Sequence, residues 1–181
     1  NCVIEEIIFL GSGTSEGVPR VSCLSSENPT CEVCIDAHEN PNSPNLRKNT
    51  CLMIRVSNKM DTRTRNIVID CGKFFWHQAM RWCTTYKLRF IDAILITHSH
   101  NDALFGIDDL RDWTRNIPEN GPISMYIRQT DLEVAAKAFD YLVDLGQKAK
   151  STGGGGVADL IWNRIEEDKT FTVRGLDFYP F

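Results

Sequence analysis

No stretch of this sequence approaches the ~18 consecutive apolar residues that a membrane-spanning helix needs. An excess of positive charge is also missing: 20 Lys and Arg stand against 24 Asp and Glu, a net charge of −4. That balance argues against a broad nucleic-acid or membrane-surface footprint, though not against a local basic pocket. A signal-peptide pattern is absent, and because the chain opens with Asn1 an upstream segment is expected. The seven cysteines are odd in number and lack the spacing of a dense disulfide framework. Cys2, Cys51, Cys71 and Cys83 sit in apolar surroundings and read as buried thiols. A reducing, cytoplasmic setting is the expectation. With 181 residues, 42% of them hydrophobic, and no linker, the chain reads as one domain with a real core.

Histidine is scarce too. Only four occur, and two of them fall together beside an aspartate, in His98-Ser99-His100-Asn101-Asp102. The apolar, β-branched run 91–96 leads into that motif and reads as a buried strand. In an extended segment alternate residues share a face, so His98, His100 and Asp102 would point the same way at the strand's C-terminal mouth. Two imidazoles and a carboxylate suit zinc, iron or manganese. A helix is predicted from Ala103 to about Arg115, and its N-terminal amides would favour hydroxide or an anionic substrate at the same mouth.

Upstream, residues 5–10 read as a first strand running into the glycine-rich stretch 11–19. The glycine spacing and Pro19 argue against a dinucleotide loop. Glycines here instead let backbone approach an active site. Residues 23–44 read as a long polar loop, and a loop of that length needs something to hold it. Cys31-x-x-Cys34, with Cys23 upstream and His38 beyond, has the spacing of a structural zinc site; three unrelated thiols are the alternative.

Residues 50–56 and 66–70 read as a strand pair joined by a polar turn, with Asp70 at the tip of the second strand. Residues 74–86 read as a helix on the sheet, with Phe75, Ala79, Trp82 and Cys83 inward and His77 on its open face. A strand at 123–127, a helix at 132–145, a flexible loop at 151–156 and a hairpin over 170–179 complete the expectation. The last strand ends in Tyr179-Pro180-Phe181 and leaves an apolar edge that reads as half of a larger fold and predicts either a homodimer that covers the edge or poor solubility.

Taken together, Ile69-Asp70-Cys71-Gly72 and Thr97-His98-Ser99-His100-Asn101-Asp102 resemble the first two motifs of the metallo-β-lactamase superfamily of hydrolases. The stretch 10–19, the Cys23/Cys31/Cys34 cluster, Arg47-Lys48-Asn49-Thr50 and 108–113 narrow the resemblance. They look like the branch holding the cyclic-phosphate phosphodiesterase of bacterial phosphonate operons and its plant and eukaryotic relatives. The resemblance implies an α/β, αββα sandwich with a mixed sheet and flanking helices, of which residues 1–181 would be the N-terminal half. It implies that His98 and His100 bind a first divalent metal, zinc or manganese, and Asp102 a second, with Asp70 in support. It also implies that Cys23, Cys31 and Cys34 hold a structural zinc. The superfamily usually has histidine directly after this Asp, where Ala103 stands, and its later motifs lie beyond residue 181.

On that reading the chain hydrolyses small phosphodiesters by metal-activated hydroxide. Arg47, Lys48 and Arg111 are candidates for holding the phosphate, and Asp108 or Asp109 for replacing the missing ligand. Two alternatives stay open: a non-catalytic, zinc-stabilised scaffold, and an RNA-processing nuclease of the same superfamily.

Overall fold

The computed structural model describes residues 2–143 and 156–181. Its centre is a six-stranded mixed sheet, ordered β1 (Cys2–Gly11), β2 (Cys51–Asn58), β3 (Arg65–Ile69), β4 (Ala93–Leu95), β5 (Ile123–Arg128) and β6 (Leu160–Ile165). The first three strands are antiparallel neighbours, and β3 to β6 run parallel. Side-chain alternation divides the sheet into two faces. One row across it, Met53–Val68–Ile94–Met125, is fully buried under the helices. The next row, Ile54–Ile67–Ala93, packs with Leu95 against a hairpin on the opposite face. This is why β4 carries no polar residue: both of its faces are covered.

The helical face is built chiefly by α3 (Phe75–Tyr86), which buries Phe75, Ala79 and Cys83 at helical spacing. Burial pushes the Cys83 thiol to about 11, and those of Cys51 and Cys71 well above their ordinary value, so these thiols are inert packing groups. The hairpin is β7 (Phe171–Val173) with β8 (Leu176–Phe178). Its two-residue turn, Arg174–Gly175, has φ of 52° and 86°, the doubly left-handed backbone that suits a tight hairpin. Tyr179 and Phe181 stay exposed beyond it, and the outer strand β1 exposes Val3, Ile4, Ile7 and Phe9. No helix among the described residues is long and apolar enough to cross a membrane.

Several expectations are corrected. The strand expected over 91–96 is only three residues long. The helix expected from Ala103 to Arg115 is broken into α4 (Asn101–Leu104), a 3-10 turn (Ile107–Leu110) and α5 (Arg111–Arg115). The break falls at Gly106, whose amide donates to the carbonyl of Cys71 at 2.8 Å instead of continuing the helix. The loop expected over 23–44 begins within α1 (Val21–Leu24) and contains α2 (Glu32–Glu39). The helix expected over 132–145 is α6, Gln129–Ala138; positions 144 and 145, and 151–155 of the expected flexible loop, lie outside the described residues. Strand β6 was not foreseen. Cys2 is half-exposed, because it sits on the edge strand beside the hairpin turn.

One polar cluster ties the sheet's far end together. Asp92, 2% exposed, takes a bidentate pair from Arg63 at 2.8 Å, a bond from Arg65 at 3.1 Å and the Asn66 amide at 2.8 Å. Burial alone would raise its carboxyl, but these donors hold it below the ordinary value. A depressed folded-state pKa contributes stability that is present above ~3.9 and lost as pH falls through the lower folded value. Asp92→Asn is therefore expected to cost about 3 kcal/mol near neutral pH, because it strands two partly buried guanidinium groups. Urea unfolding at a series of pH values should show the gap to the unsubstituted chain closing below ~4. A constant gap would mean that the carboxylate charge is not what holds this cluster.

Candidate metal centre

The parallel strands β3 and β4 end side by side, and the candidate site forms at their C-terminal ends, the usual position for function in such sheets. Directly after β3, Asp70 adopts φ +63° and turns its carboxylate inward, where it is 8% exposed. It accepts the Thr97 amide at 2.8 Å and the Thr97 hydroxyl at 2.8–2.9 Å. The same hydroxyl lies 2.9 Å from His98 Nδ1. A hydroxyl has one proton, and the carboxylate claims it, so Oγ1 is left to accept from Nδ1–H. The bond logic, rather than an observed hydrogen, thereby assigns the tautomer that leaves His98 Nε2 free to bind a metal. Burial pushes the Asp70 carboxyl upward, with the Thr97 bonds opposing it.

The ligand atoms of His98, His100 and Asp102 all lie within 4.8 Å of one another. The two imidazole rings are edge-to-face with centroids 4.8 Å apart, and His98 Nε2 is 4.0 Å from Asp102 Oδ1. Two nitrogens and one oxygen at this separation fit a shared divalent ion, needing only small side-chain shifts to reach bonds of about 2.0–2.2 Å. What converges them is a bend rather than alternation along a strand: Asp102 already lies in the first turn of α4, with His100 as its N-cap. That helix is a single turn, so it has few aligned peptides to supply the dipole expected at the mouth.

Three residues outside the motif hold it in shape. Ser15, from the glycine-rich stretch, donates to Asp102 Oδ2 at 2.7 Å and keeps that carboxyl below its usual range. The buried Asp131, at the start of α6, accepts the amide of Ser99, between the two histidines, at 3.0 Å. Arg128 donates to Asp131 at 2.7 Å and to Glu167 at 2.7 Å, so the ligand loop is tied to both α6 and the far side of the sheet. Sequence reasoning assigned no role to Ser15, Thr97 or Asp131. Only Thr97, adjoining His98, carried a local signal.

Backbone stitches the Asp70 tip to α4. Cys71 N donates to Ala103 O at 2.7 Å and Lys73 N to Asn101 O at 3.0 Å. Ala103 itself is 1% exposed and fills core space where the resembling superfamily has a ligand.

The remaining candidates are not members of the histidine group. Cys23 on α1, Cys31 at the N-cap of α2 and Cys34 within α2 form a second group, their sulfurs within 4.8 Å of one another. Three thiols so placed fit one structural zinc, for which sulfur–sulfur distances of about 3.8 Å are needed. His38 is not in this group: α2 carries it a full turn past Cys34, ~6 Å along the axis. Arg47 donates to Ser12 at 2.7 Å and to the Pro44 carbonyl at 3.0 Å, so it braces the glycine-rich stretch. Lys48 reaches over the Phe74 ring. Arg111 lines a separate polar groove with Asp109, Asp112 and Arg115. Asp108 accepts Tyr141 OH at 3.2 Å, and neither it nor Asp109 joins the histidine group.

Comparison with known proteins bears on the family. An octanoyltransferase of Porphyromonas gingivalis is 37% identical over 139 residues, covering 75% of this chain and 23% of that protein. A ribonuclease Z of Lactobacillus delbrueckii subsp. bulgaricus is 36% identical over 59 residues, 33% of this chain and 18% of that protein. Among solved structures, one described as a new diphosphatase from the PhnP family superposes with a TM-score of 0.67 at 25% identity. That superposition takes in 96% of this chain but 55% of the diphosphatase, so the chain spans little over half of that structure and under a quarter of the octanoyltransferase. The family model described as beta-lactamase superfamily domain matches residues 65–181, which hold Asp70, the histidine motif and the parallel half of the sheet. The α/β architecture, the strand-end site and this match together place the chain in the beta-lactamase superfamily.

Proposed function

We propose that this chain carries the metal-binding residues of a hydrolase acting on small phosphodiesters. The observation that carries the reading is the Asp70–Thr97–His98 relay, which presents His98 Nε2 toward His100 and Asp102. A buried carboxylate spent on orienting one imidazole is hard to explain as packing, and it is the usual arrangement behind a metal-binding histidine. A divalent ion held by His98, His100 and Asp102 would supply Lewis acidity and bring the pKa of water toward ~7. The chain's own part is to keep His98 in one tautomer, to keep Asp102 ionised through Ser15, and to fix the ligand loop through Asp131. The similarity to a diphosphatase supports phosphorus rather than carbonyl as the centre attacked.

The test is metal content and turnover together. Elemental mass spectrometry should find a metal that is lost on His98→Ala, with hydrolysis of a bis-aryl phosphodiester falling by roughly 100-fold or more. Unchanged turnover in His98→Ala would overturn the reading. Ala103 favours the second reading, a non-catalytic scaffold, and a metal-loaded chain with no turnover would select it.

A further inference from the structure

We propose that Lys48 and Lys73, gathered on the ring of Phe74, form a subsite for a phosphate-type oxyanion beside the loops that build the metal centre. The inference deepens the hydrolase reading by assigning residues that hold the substrate away from the reacting bond. Lys48 Nζ lies 4.8 Å and Lys73 Nζ 5.2 Å from the Phe74 ring centroid. Neither ammonium pairs with a carboxylate among the described residues, whereas Arg55, Arg63, Arg65 and Arg128 do. Two like charges drawn to one ring repel each other, and Lys48 is also partly desolvated, which lowers its pKa. An anion relieves both costs at once.

Both lysines are fixed at the backbone to the two loops that build the metal centre. The Lys48 carbonyl accepts the Gly13 amide at 2.7 Å, two residues before the serine that holds Asp102. The Lys73 amide donates at 3.0 Å to Asn101, which lies between His100 and Asp102. Gly17, at φ +73°, keeps the ring edge clear: a Cβ there would come within 3.2 Å of Phe74 Cε2. The backbone at both positions is therefore fixed, the ring of Phe74 draws both ammonium groups to it, and lysine's compact ammonium suits a tetrahedral oxyanion.

Binding of inorganic phosphate, titrated calorimetrically at low salt, tests this independently of catalysis when done in the His98→Ala background with the cysteine group intact. Lys48→Met with Lys73→Met keeps the aliphatic stems on Phe74 and should weaken phosphate binding at least tenfold. Lys48→Arg with Lys73→Arg should retain it. In the chain with His98 present, the Met pair should raise KM more than it lowers kcat. Each single Met substitution should show a smaller loss, which guards against a poorly folded double variant. Phosphate affinity indifferent to the Met pair, or no saturable binding in His98→Ala, overturns the subsite. Lysine-dependent phosphate binding without phosphodiester turnover in the unsubstituted chain would support the subsite and sink the hydrolase reading. Turnover with lysine-independent phosphate binding would do the reverse.

Discussion

Gly72→Ala is expected to lower stability by about 3 kcal/mol or more and to weaken metal binding at His98, His100 and Asp102 at least ~10-fold. A Cβ at position 72 would stand 1.8 Å from the Asp102 carbonyl oxygen and 2.3 Å from its carbonyl carbon. Both are backbone atoms, so no side chain can swing aside. Nor can the two segments drift apart cheaply. Cys71 N to Ala103 O, Lys73 N to Asn101 O and Gly106 N to Cys71 O bind them at 2.7, 3.0 and 2.8 Å. Any shift that admits the methyl group breaks some of these and carries Asp102 with it. Gly121→Ala is the control. Gly121 has φ +65° and ψ −165° with nothing within 4 Å, so alanine there meets no atom and only backbone strain, about 1–3 kcal/mol, and leaves metal binding unchanged. Thermal unfolding should separate the two, with Gly72→Ala lowering Tm by about 6–12 °C. Equal, small shifts would show that the close approach at the Asp70 tip is not fixed as described.

Cys31→Ser with Cys34→Ser should remove one zinc per chain and expose residues 21–46 to proteolysis while the sheet stays folded. The segment has little else to hold it. Helix α1 is four residues long and buries nothing, and α2 is eight residues long and buries only Cys34 and Ala37. Neither helix reaches the ~12–15 residues at which an isolated helix becomes even marginal in water. Its own polar tie is the Asp36 carboxylate, which accepts the Ser43 hydroxyl and, at 2.8 Å, the Asn45 amide nitrogen. A zinc on the three thiols would contribute on the order of 10 kcal/mol of local ordering, far above what one partly buried hydrogen-bonded turn provides. Elemental analysis and limited proteolysis of the double variant read both effects. Unchanged metal content and an intact segment would mean that the three sulfurs hold no ion.

The two sites differ in how they are specified. The cysteine pair is local: Cys31 and Cys34 are one helical turn apart, so their spacing alone brings them together, and Cys23 precedes them by a short connection. The histidine centre is local only in its ligands. His98, His100 and Asp102 lie within five residues, and β4 before them is apolar because both faces of the sheet are covered there. Those features are written in covalent neighbours and short periodicities, and a reader of the chain finds them.

The rest is long-range. Ser15 meets Asp102 across 87 positions, and Asp131 meets Ser99 across 32. No spacing rule links such pairs, because loop closure and sheet pairing bring them together. The break at Gly106 belongs here too: helical periodicity runs through it in sequence, but the amide is taken by Cys71 from another strand end. Strand β6 reads ambiguously by itself and becomes a strand by parallel pairing with β5 over six positions. His38, locally as well placed as any ligand, is carried off by the helix that its neighbours form. The amino-acid sequence by itself determined the family and the two clusters of candidate donors, since residue identity and the closest spacings, at 98–102 and 31–34, leave little for packing to change. Only the tertiary structure decided which groups orient those ligands, because that depends on which distant backbone is pressed against the site.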